Sequence, residues 1–389
     1  MQPLQGITVL ALEHAIAAPF CSRQLADLGA RVIKIERPGI GDFARGYDAR
    51  VRGLSSHFVW TNRSKESLTL NVKHQAAADV LKRLLPRTDV LVQNLAPGAA
   101  SRLGLAFDVL HDAYPKLIVC DISGYGSDGP DRDRKAYDLL IQSESGFLSV
   151  TGTKDGPAKA GCSIADIAAG MYAYSNILAA LIERGLTGHG RRIDISMLEC
   201  MAEWMSFPLY YAYEGADPPP RAGAAHATIF PYGPFRCGDG ASVMLGVQNE
   251  REWQAFCEHV LLDTSLTHDL RFASNPKRLE SRVALRERIE NAFASLTVDD
   301  VTSRLDAAHI ANAKVNDMHG VWSHRQLAAR DRWREVDTDA GAVRALRPPG
   351  LDDARMDAVP SLGQHTNSIL AELGYSGAEI ASLRESRVV

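Results

Sequence analysis

The first half of the chain alternates short apolar runs, rich in β-branched residues, with segments of helical spacing, and this alternation restricts the possible folds more than any other feature. Strands are predicted at Gly6–Glu13, Arg31–Glu36, Leu68–Val72, Asp89–Gln93 and Leu117–Ser123, and helices at Pro19–Leu28, Ala76–Leu85 and Ala165–Arg184. Repeated strand–helix–strand units require a parallel sheet with right-handed crossovers. The sequence therefore predicts an α/β fold with a doubly wound, Rossmann-like sheet.

The composition changes near Glu214, where Pro, Gly and Ala become frequent, and we interpret this stretch as a linker. A smaller mixed unit follows, beginning with a hairpin whose turn is at Gly238–Gly240. Helices are predicted next at Glu250–Val260 and Arg282–Leu296. A second linker rich in Pro and Gly precedes a short C-terminal helix. A chain of 389 residues with this pattern has about two domains.

Charge, cysteine content and hydropathy exclude several classes of protein. The formal net charge of -4 lacks the basic excess of a general nucleic-acid binder. The six cysteines form no C-x-x-C pair, which indicates reduced thiols in a cytoplasmic protein. No basic segment followed by a long apolar run begins the chain, so no signal peptide is expected. The apolar stretches are interrupted by Asp and Asn, so no membrane-spanning helix is expected either.

The turn after the first predicted strand reads HAIAAPFCS and lacks the glycines of a dinucleotide-binding fingerprint. A P-loop motif is also absent, so nicotinamide dehydrogenases and P-loop enzymes are disfavoured. Four basic residues nevertheless lie at or after predicted strand ends: Arg37, Lys73, Arg102 and Lys135. Open α/β sheets bind ligands at this edge, and cations there suit a nucleotide diphosphate. The alternative is that these side chains only keep the surface soluble.

Asp166 begins the long predicted helix in the sequence GCSIADIAAG, and two interpretations of it stay open. Ser163-x-x-Asp166 resembles a capping box, so Asp166 could have no role beyond capping. A carboxylate nucleophile suits the same position, because the helix dipole would keep it ionised and the helix start would leave it exposed and rigidly oriented. Asp138 could be a second acid of the site or the start of a helix. His14 and His226 are weak candidates because neither has an evident partner.

Several segments are similar, in order and spacing, to those of the family III CoA-transferases, which include formyl-CoA transferase, carnitine CoA-transferase and the α-methylacyl-CoA racemases. The segments are Ala17–Pro19, LADLGARVIKIERPGIGDFAR, NRSKESLTLNVK, VLVQNLAPGAASRLGL, ISGYGSDGP, KAYD, the helix that opens with Asp166, and GQHTNSILAELGYS. Each motif is modest by itself, whereas the ordered series over almost the whole chain is specific.

The resemblance implies an arrangement that periodicity does not show. Residues 1–210 and 330–389 would form a large Rossmann-like, CoA-binding domain, and residues 220–325 a smaller α+β domain, with linkers at about 211–219 and 326–350. Two such open chains would interlock as a homodimer. The partners would be an acyl-CoA thioester, used as a substrate, and a free carboxylic acid. No permanently bound cofactor, metal, nucleic acid or membrane is expected.

The same resemblance assigns site residues. Asp166 matches the catalytic aspartate. The positions matching the CoA channel are Ala15, Arg37, Leu70, Lys73, Asn94, Leu95, Arg102, Lys135 and Tyr137. Arg37 would lie at the adenine–ribose end of CoA and Tyr137 near the thioester. The racemases have a His at the position of Tyr137, and because a Tyr is a poor base near neutral pH, transfer is favoured over racemisation.

A narrower resemblance concerns the acceptor acid. The segments RAGAAHATIFPYGPF and GVQN resemble the branch that uses succinyl-CoA with C4–C5 dicarboxylates such as itaconate, glutarate, citramalate or mesaconate. Ile16 stands where formyl-CoA transferase has Gln, which argues against formate and oxalate. The distal carboxylate needs a cation or a donor, and the candidates are His14, Arg45, Arg221 and His226.

The expected reaction is therefore CoA transfer from succinyl-CoA to itaconate or a related acid, through an aspartyl mixed anhydride and an aspartyl-CoA thioester. A racemase-like enzyme is one alternative. A non-catalytic CoA-binding module is another, and the retention of Asp166 at a helix start weighs against it.

Overall fold

The structure is a computed structural model that describes residues 2–389. The chain divides into two compact units. The sheet unit comprises the chain up to Phe147 together with Ala160–Ser206 and Leu327–Val389. The hairpin unit comprises Leu148–Lys159 and Phe207–Gln326. The sheet unit is thus assembled from three separate stretches of the chain.

The strands, in chain order, are β1 (Thr8–Leu12), β2 (Arg31–Glu36), β3 (Lys65–Thr69), β4 (Val90–Gln93), β5 (Ile118–Ser123), β6 (Gly152–Thr153), β7 (Gly156–Pro157), β8 (Arg192–Ser196), β9 (Tyr232–Arg236), β10 (Ser242–Gly246), β11 (Ala311–Lys314), β12 (Trp333–Val336) and β13 (Val343–Leu346).

The α-helices are α1 (Ala17–Asp27), α2 (Ser56–Asn62), α3 (Ala77–Leu84), α4 (Ala99–Arg102), α5 (Phe107–Ala113), α6 (Asp138–Glu144), α7 (Phe147–Val150), α8 (Ile164–Thr187), α9 (Met197–Trp204), α10 (Ser206–Tyr211), α11 (Glu250–Ala255), α12 (Asn275–Glu280), α13 (Arg282–Phe293), α14 (Val298–Ala307), α15 (Met318–Trp322), α16 (Arg325–Ala329), α17 (Thr366–Glu372) and α18 (Gly377–Glu385). A π-helix at Phe256–Leu261 continues α11.

Six strands of the sheet unit form one parallel sheet in the order β3-β2-β1-β4-β5-β8. This is the strand order of a doubly wound dinucleotide-binding fold. The chain winds outward from β1 to β3 and then outward in the opposite direction from β4 to β8, so the winding reverses between β1 and β4. The predicted α/β class with a Rossmann-like sheet is confirmed.

Both faces of this sheet are buried, and successive residues of β1 belong to different cores. Val9 and Ala11 pack in a core with α1, α8 and α9. Leu10 and Leu12 pack in a second core with α3 and α17. Strands covered on both faces have continuous apolar runs, which is why the sequence pattern located most of them.

The third strand is displaced from its prediction. β3 begins at Lys65, whereas the sequence pattern predicted Leu68–Val72. Lys65 is 3% exposed, and its Nζ lies 2.7 Å from Oε1 of Glu13. A paired lysine therefore occupies a buried strand position that hydropathy does not reveal.

The hairpin unit has a core of its own around a three-stranded antiparallel sheet in the order β11-β10-β9. The predicted hairpin is present as β9 and β10. The predicted helix Glu250–Val260 is α11 with its π-helical continuation, and α13 ends at Phe293 rather than Leu296.

The segment predicted as a linker over residues 326–350 is instead structured. It contains most of α16 and the antiparallel pair of β12 and β13. Val336 of β12 packs with Phe58 and Val359 in a small core cluster. These elements are too short to give a period that stands out, and the Pro and Gly that suggested a linker follow β13 at Pro348–Gly350.

Among the described residues, α8 is the helix long and apolar enough, by length and composition, to cross a membrane. Its small side chains, including Ala169 and Ala173, are fully buried against the sheet unit, so the apolar character serves the core. α1 packs closely against α8 at Gly170. A Cβ atom at Gly170 would lie 2.7 Å from the carbonyl oxygen of Ala17.

We expect Gly170→Ala to destabilise the protein by about 1–3 kcal/mol, because the added methyl overlaps the backbone of α1. The matched control is Gly185→Ala in the same helix, where nothing lies within 4 Å of the new Cβ. That control should gain about 1 kcal/mol from helix propensity. Denaturant unfolding of both variants measures the difference, and equal effects would contradict the close contact.

Candidate active site

The reversal of winding between β1 and β4 places two predicted CoA-binding turns side by side. The backbone N–H of His14 donates to Oδ1 of Asn94 at 2.9 Å, and Nδ2 of Asn94 donates to the carbonyl of His14 at 2.9 Å. Leu95 is fixed in turn, because its N–H donates to Oε1 of Gln93 at 2.7 Å. Crevices at such switch points are the usual ligand sites of open α/β sheets.

The other residues predicted for the CoA channel lie along the carboxyl edge of the same sheet or in the segments that follow it. Arg37 directly follows β2, Arg102 ends α4, and Lys135 precedes α6, and all three side chains are exposed. Lys73 follows β3 and is also exposed. Leu70 differs from this set: its side chain is 1% exposed and packs in the core, so only its backbone could line a channel.

A buried ionic cluster lies beneath the turn that follows β1. Nζ of Lys34 is 2.8 Å from Oδ2 of Asp42 and 3.3 Å from Oε1 of Glu13. Nζ of Lys65 approaches the same Glu13 oxygen, and Ser22 donates to the other Glu13 oxygen at 2.6 Å. Each charge therefore has an opposite charge in contact, as buried charges require.

Asp42 connects this cluster to the candidate site. Its Oδ1 accepts hydrogen bonds from the backbone N–H groups of Ala15 at 3.1 Å and Ala44 at 2.9 Å. Ala15 has φ of 60°, a left-handed conformation that is uncommon for a residue with a Cβ. The hydrogen bond that Ala15 donates to Asp42 thus holds the turn of His14–Ile16 in a conformation that it would not favour by itself.

Asp166 lies in the first turn of α8, but the predicted cap is wrong. Ser163 occupies the N-cap position without a side-chain hydrogen bond to the helix. Asp138, which begins α6, supplies the cap instead, because its Oδ1 accepts from the backbone N–H of Ala165 at 2.8 Å. Among residues 2–389, no hydrogen-bond donor or cation contacts the carboxylate of Asp166. It therefore remains available for chemistry.

The expectation that the helix dipole keeps Asp166 ionised and exposed needs correction. The side chain is half-buried, and burial together with the negative charge of Asp138 raises the pKa of Asp166 to about 7. Desolvation disfavours the charged form more than the dipole favours it. Asp166 is consequently a basic carboxylate, which is the more reactive kind of carboxylate nucleophile once it is ionised.

The start of α1 lies close to the start of α8. The contact between Gly170 and the carbonyl of Ala17 is one helical turn beyond Asp166. The first amides of any helix have no acceptor within the helix and attract negative charge. Ile16, which is 4% exposed, precedes this first turn of α1. An oxyanion that forms at Asp166 would therefore develop near unpaired backbone N–H groups.

Two of the four residues predicted for a distal carboxylate are unsuited to that role. Arg45 forms a two-pronged salt bridge with Glu36, with both N···O distances 2.8 Å, and stacks on Phe58. Burial lowers the pKa of His14, and the charges of Lys34 and Arg37 lower it further while Asp42 opposes them. Its imidazole is therefore neutral rather than cationic near neutral pH.

The other two candidates belong to the hairpin unit. Nε of Arg221 donates to the carbonyl of Thr153 at 2.9 Å. The ring of His226 stacks on Tyr232 with centroids 5.3 Å apart. Their assignment to a distal carboxylate stays a prediction.

Sequence reasoning missed an aromatic row in the loop that precedes α2 and in that helix. The ring of Phe43 stacks on His14 at 5.3 Å, Tyr47 follows at 5.9 Å, and His57 lies edge-on to Tyr47 at 5.3 Å. Burial raises the pKa of Tyr47 to about 12, and the charges of Asp42 and Asp166 contribute. The row therefore begins at His14, in the turn after β1, and includes Tyr47, whose pKa the charge of Asp166 helps to raise. Phe43 lies inside the motif LADLGARVIKIERPGIGDFAR and Tyr47 and His57 follow it, and no pattern in the sequence marked these three residues as part of a site.

Known proteins identify the class that this fold and site define. The sequence profile described as CoA-transferase family III matches residues 4–366. The chain therefore belongs to CoA-transferase family III, and it is a CoA-transferase.

Relatives of known activity and structure agree with this assignment. A succinyl-CoA:glutarate CoA-transferase of Mus musculus is 32% identical over 397 residues, which cover 100% of this chain and 91% of the relative. An acetyl-CoA:oxalate CoA-transferase of Acetobacter aceti is 34% identical over 318 residues, covering 81% of this chain and 80% of the relative. A crystal structure of a CAIB/BAIF family protein from Brucella suis superposes with a TM-score of 0.84 at 32% identity, covering 96% of this chain and 99% of the other.

The raised pKa of Asp166 predicts how acyl transfer to the enzyme depends on pH. Only the ionised carboxylate can attack, so kcat/KM for the acyl-CoA donor should rise with pH and level off above about 7. Asp138→Asn removes the neighbouring charge while it keeps an amide oxygen for the N–H of Ala165. This variant should move the midpoint to lower pH. Rates of enzyme–CoA thioester formation measure both profiles, and a midpoint that moves upward would contradict this account.

Proposed function

We propose that this enzyme transfers CoA from succinyl-CoA to a small dicarboxylic acid, with Asp166 as the nucleophile that forms the covalent intermediates. The observation that supports this most is the carboxylate of Asp166 itself. It is half-buried, has no donor or cation in contact among the described residues, and lies at a helix start close to the turn after β1. A carboxylate with only a capping role would be hydrogen-bonded to the helix that it caps.

In the first half of the proposed reaction, a carboxylate oxygen of Asp166 attacks the thioester carbonyl of the donor. The C–S bond breaks, CoA leaves as a thiolate, and a mixed anhydride remains. The thiolate then attacks the aspartyl carbonyl and releases the donor acid as its carboxylate. The product is an aspartyl-CoA thioester, so the energy of the thioester bond is retained on the enzyme.

In the second half, the acceptor carboxylate attacks the aspartyl thioester and expels CoA thiolate again. The new mixed anhydride links Asp166 to the acceptor. Attack of the thiolate on the acceptor carbonyl forms the new acyl-CoA and returns the carboxylate of Asp166. Each tetrahedral intermediate places negative charge on an oxygen, and the first amides of α1 are suited to stabilise it.

The exposed cations of the sheet unit would bind the phosphates of CoA. Arg37, Lys73, Arg102 and Lys135 are exposed, and Arg37 is close enough to His14 to lower its pKa. Polyanions such as the CoA diphosphate favour cations of this kind. Tyr137, 68% exposed at the N-terminus of α6, would lie near the thioester.

For the acceptor we propose itaconate or a closely related C4–C5 dicarboxylate. The resemblance of the hairpin segment RAGAAHATIFPYGPF to the dicarboxylate branch supports this choice. The named specificity of the mouse relative for succinyl-CoA and glutarate agrees with it. Ile16 offers no polar group beside the start of α1, which disfavours the smaller oxalate.

Asp166→Ala should lower CoA transfer by about a thousandfold or more, because no other described carboxylate takes its position as nucleophile. The variant should fold, and at about pH 8 it should be at least as stable as the wild type, since it lacks a carboxylate whose ionised form the site disfavours. Mass spectrometry of CoA products and thermal unfolding measure the two effects.

A trapping experiment tests the same assignment from the other side. Wild-type enzyme incubated with succinyl-CoA and then with hydroxylamine or borohydride should carry a single label on Asp166. The matched control, Asp138→Asn, should still be labelled at Asp166. A label on any other residue would exclude the proposed mechanism.

We also propose that the enzyme is a homodimer. Leu139 and Leu140 of α6 and Trp204 of α9 support this, because each of these apolar side chains is nearly half exposed in the single chain. Light scattering after size-exclusion chromatography should give twice the 42.3 kDa mass of the chain. A mass of one chain at micromolar concentration would contradict the proposal.

A further inference from the structure

His57, in the first turn of α2, is held in a defined orientation by two contacts. Its Nδ1 lies 3.2 Å from Oδ2 of Asp48. Its ring meets the ring of Tyr47 edge-on, with an interplanar angle of 88° and centroids 5.3 Å apart. Among residues 2–389, no hydrogen bond to Nε2 of His57 is formed. The side chain is 40% exposed, so this nitrogen remains accessible to a ligand.

Asp48 is itself rigidly placed and ionised. Its Oδ1 accepts from the backbone N–H groups of Arg50 at 3.0 Å and Ser56 at 2.9 Å, and its Oδ2 accepts from the hydroxyl of Ser56 at 2.7 Å. These hydrogen bonds lower the pKa of Asp48 well below its usual range. The ionised carboxylate therefore accepts Nδ1–H of His57, which fixes the ring with Nε2 on the side away from Asp48.

The cations packed beneath the turn after β1 have no comparable freedom, and the exposed Arg37 is assigned above to the phosphates of CoA. Lys34 and Lys65 are buried against Glu13, and Lys34 also contacts Asp42. Arg45 is neutralised by Glu36. His14 has a lowered pKa. His14 also has a ring nitrogen, Nδ1, without a partner in the described chain, but that nitrogen is buried, whereas the side chain of His57 is 40% exposed.

The position of His57 along the aromatic row suits a ligand that reaches away from Asp166. The row begins with His14, in the turn beside the start of α1, and continues through Phe43 and Tyr47 to His57. The negative charge of Asp166 is one of the causes that raise the pKa of Tyr47 to about 12. A C4–C5 dicarboxylate has one carboxyl to react at Asp166 and another, separated from it by a short carbon chain, that must find a donor.

We propose that the dyad of His57 and Asp48, with the hydroxyl of Tyr47, is an anion subsite for the unreacted carboxylate of dicarboxylate substrates. Nε2–H of His57 donates to that carboxylate, and Asp48 acts through His57 as a positioning residue. The subsite serves both half-reactions, because succinyl-CoA also has a free carboxylate. This inference rests on the proposed function and names the group that would select dicarboxylates.

The test uses pairs of substrates that differ only in the distal carboxylate. Acceptors are glutarate and pentanoate, and donors are succinyl-CoA and butyryl-CoA. His57→Gln should lower kcat/KM for glutarate and for succinyl-CoA by roughly ten- to a hundredfold, the range expected when a charged donor to a carboxylate is lost. The values for pentanoate and butyryl-CoA should change less than about threefold, since those substrates place no charge in the subsite.

Asp48→Asn should produce the same selectivity with a smaller effect, because the imidazole remains but loses the carboxylate that accepts its Nδ1–H and orients the ring. The matched control is His189→Ala. His189 is an exposed histidine between α8 and β8, at the opposite edge of the sheet, and its loss should leave all four rates unchanged. Thermal unfolding of each variant separates loss of structure from loss of binding.

The outcomes distinguish this subsite from the general reaction. If His57→Gln lowers the rates of mono- and dicarboxylate substrates equally, or lowers none of them, His57 does not bind the distal carboxylate while the transferase assignment stands. A wild-type enzyme that prefers pentanoate to glutarate would overturn the subsite as well. If wild type transfers CoA to no carboxylate, the proposed function fails and the inference fails with it.

Discussion

The ion pair between Lys34 and Asp42 connects the interior of the sheet unit to its reactive edge. Lys34 is a residue of β2, and both side chains are completely buried. Removing either charge would leave the other one buried and unpaired, which costs about 3–5 kcal/mol. Since Asp42 also holds the N–H groups of Ala15 and Ala44, the ion pair fixes the turn after β1 and the loop that begins the aromatic row.

The raised pKa of Asp166 follows from the way this cluster uses the nearby cations. Lysine and arginine side chains near the turn are neutralised by Glu13, Asp42 and Glu36, so among the described residues no buried cation contacts the carboxylate of Asp166. Its pKa is raised by burial and by Asp138. A carboxylate that is costly to ionise is also a better nucleophile, and the start of α1 nearby offers amides to the oxyanion that forms. The same buried ion pairs therefore fix the turn after β1 and leave Asp166 with no cation from residues 2–389 to lower its pKa.

Predictions from the sequence agree with the structure where a residue's conformation and burial depend on its near neighbours in the chain. β2 and the starts of α3 and α8 follow directly from apolar period, because both faces of the sheet and one side of each helix are buried. Prediction was wrong where a charge was buried by a distant partner, as at Lys65 in β3, and where elements were short, as at β12 and β13. Ser163 likewise matched a capping pattern, yet the cap comes from Asp138 in another helix.

The sequence by itself determined the α/β class, the position of Asp166 at a helix start and the series of motifs that marks the family, since these depend on residue types at short spacings. Only the tertiary structure decided which charges are free. Arg45 appeared available and is paired with Glu36, whereas His57 attracted no notice and has an unengaged nitrogen beside Tyr47. A side chain's charge is a property of its residue type, but its availability is set by neighbours that the fold brings from elsewhere in the chain.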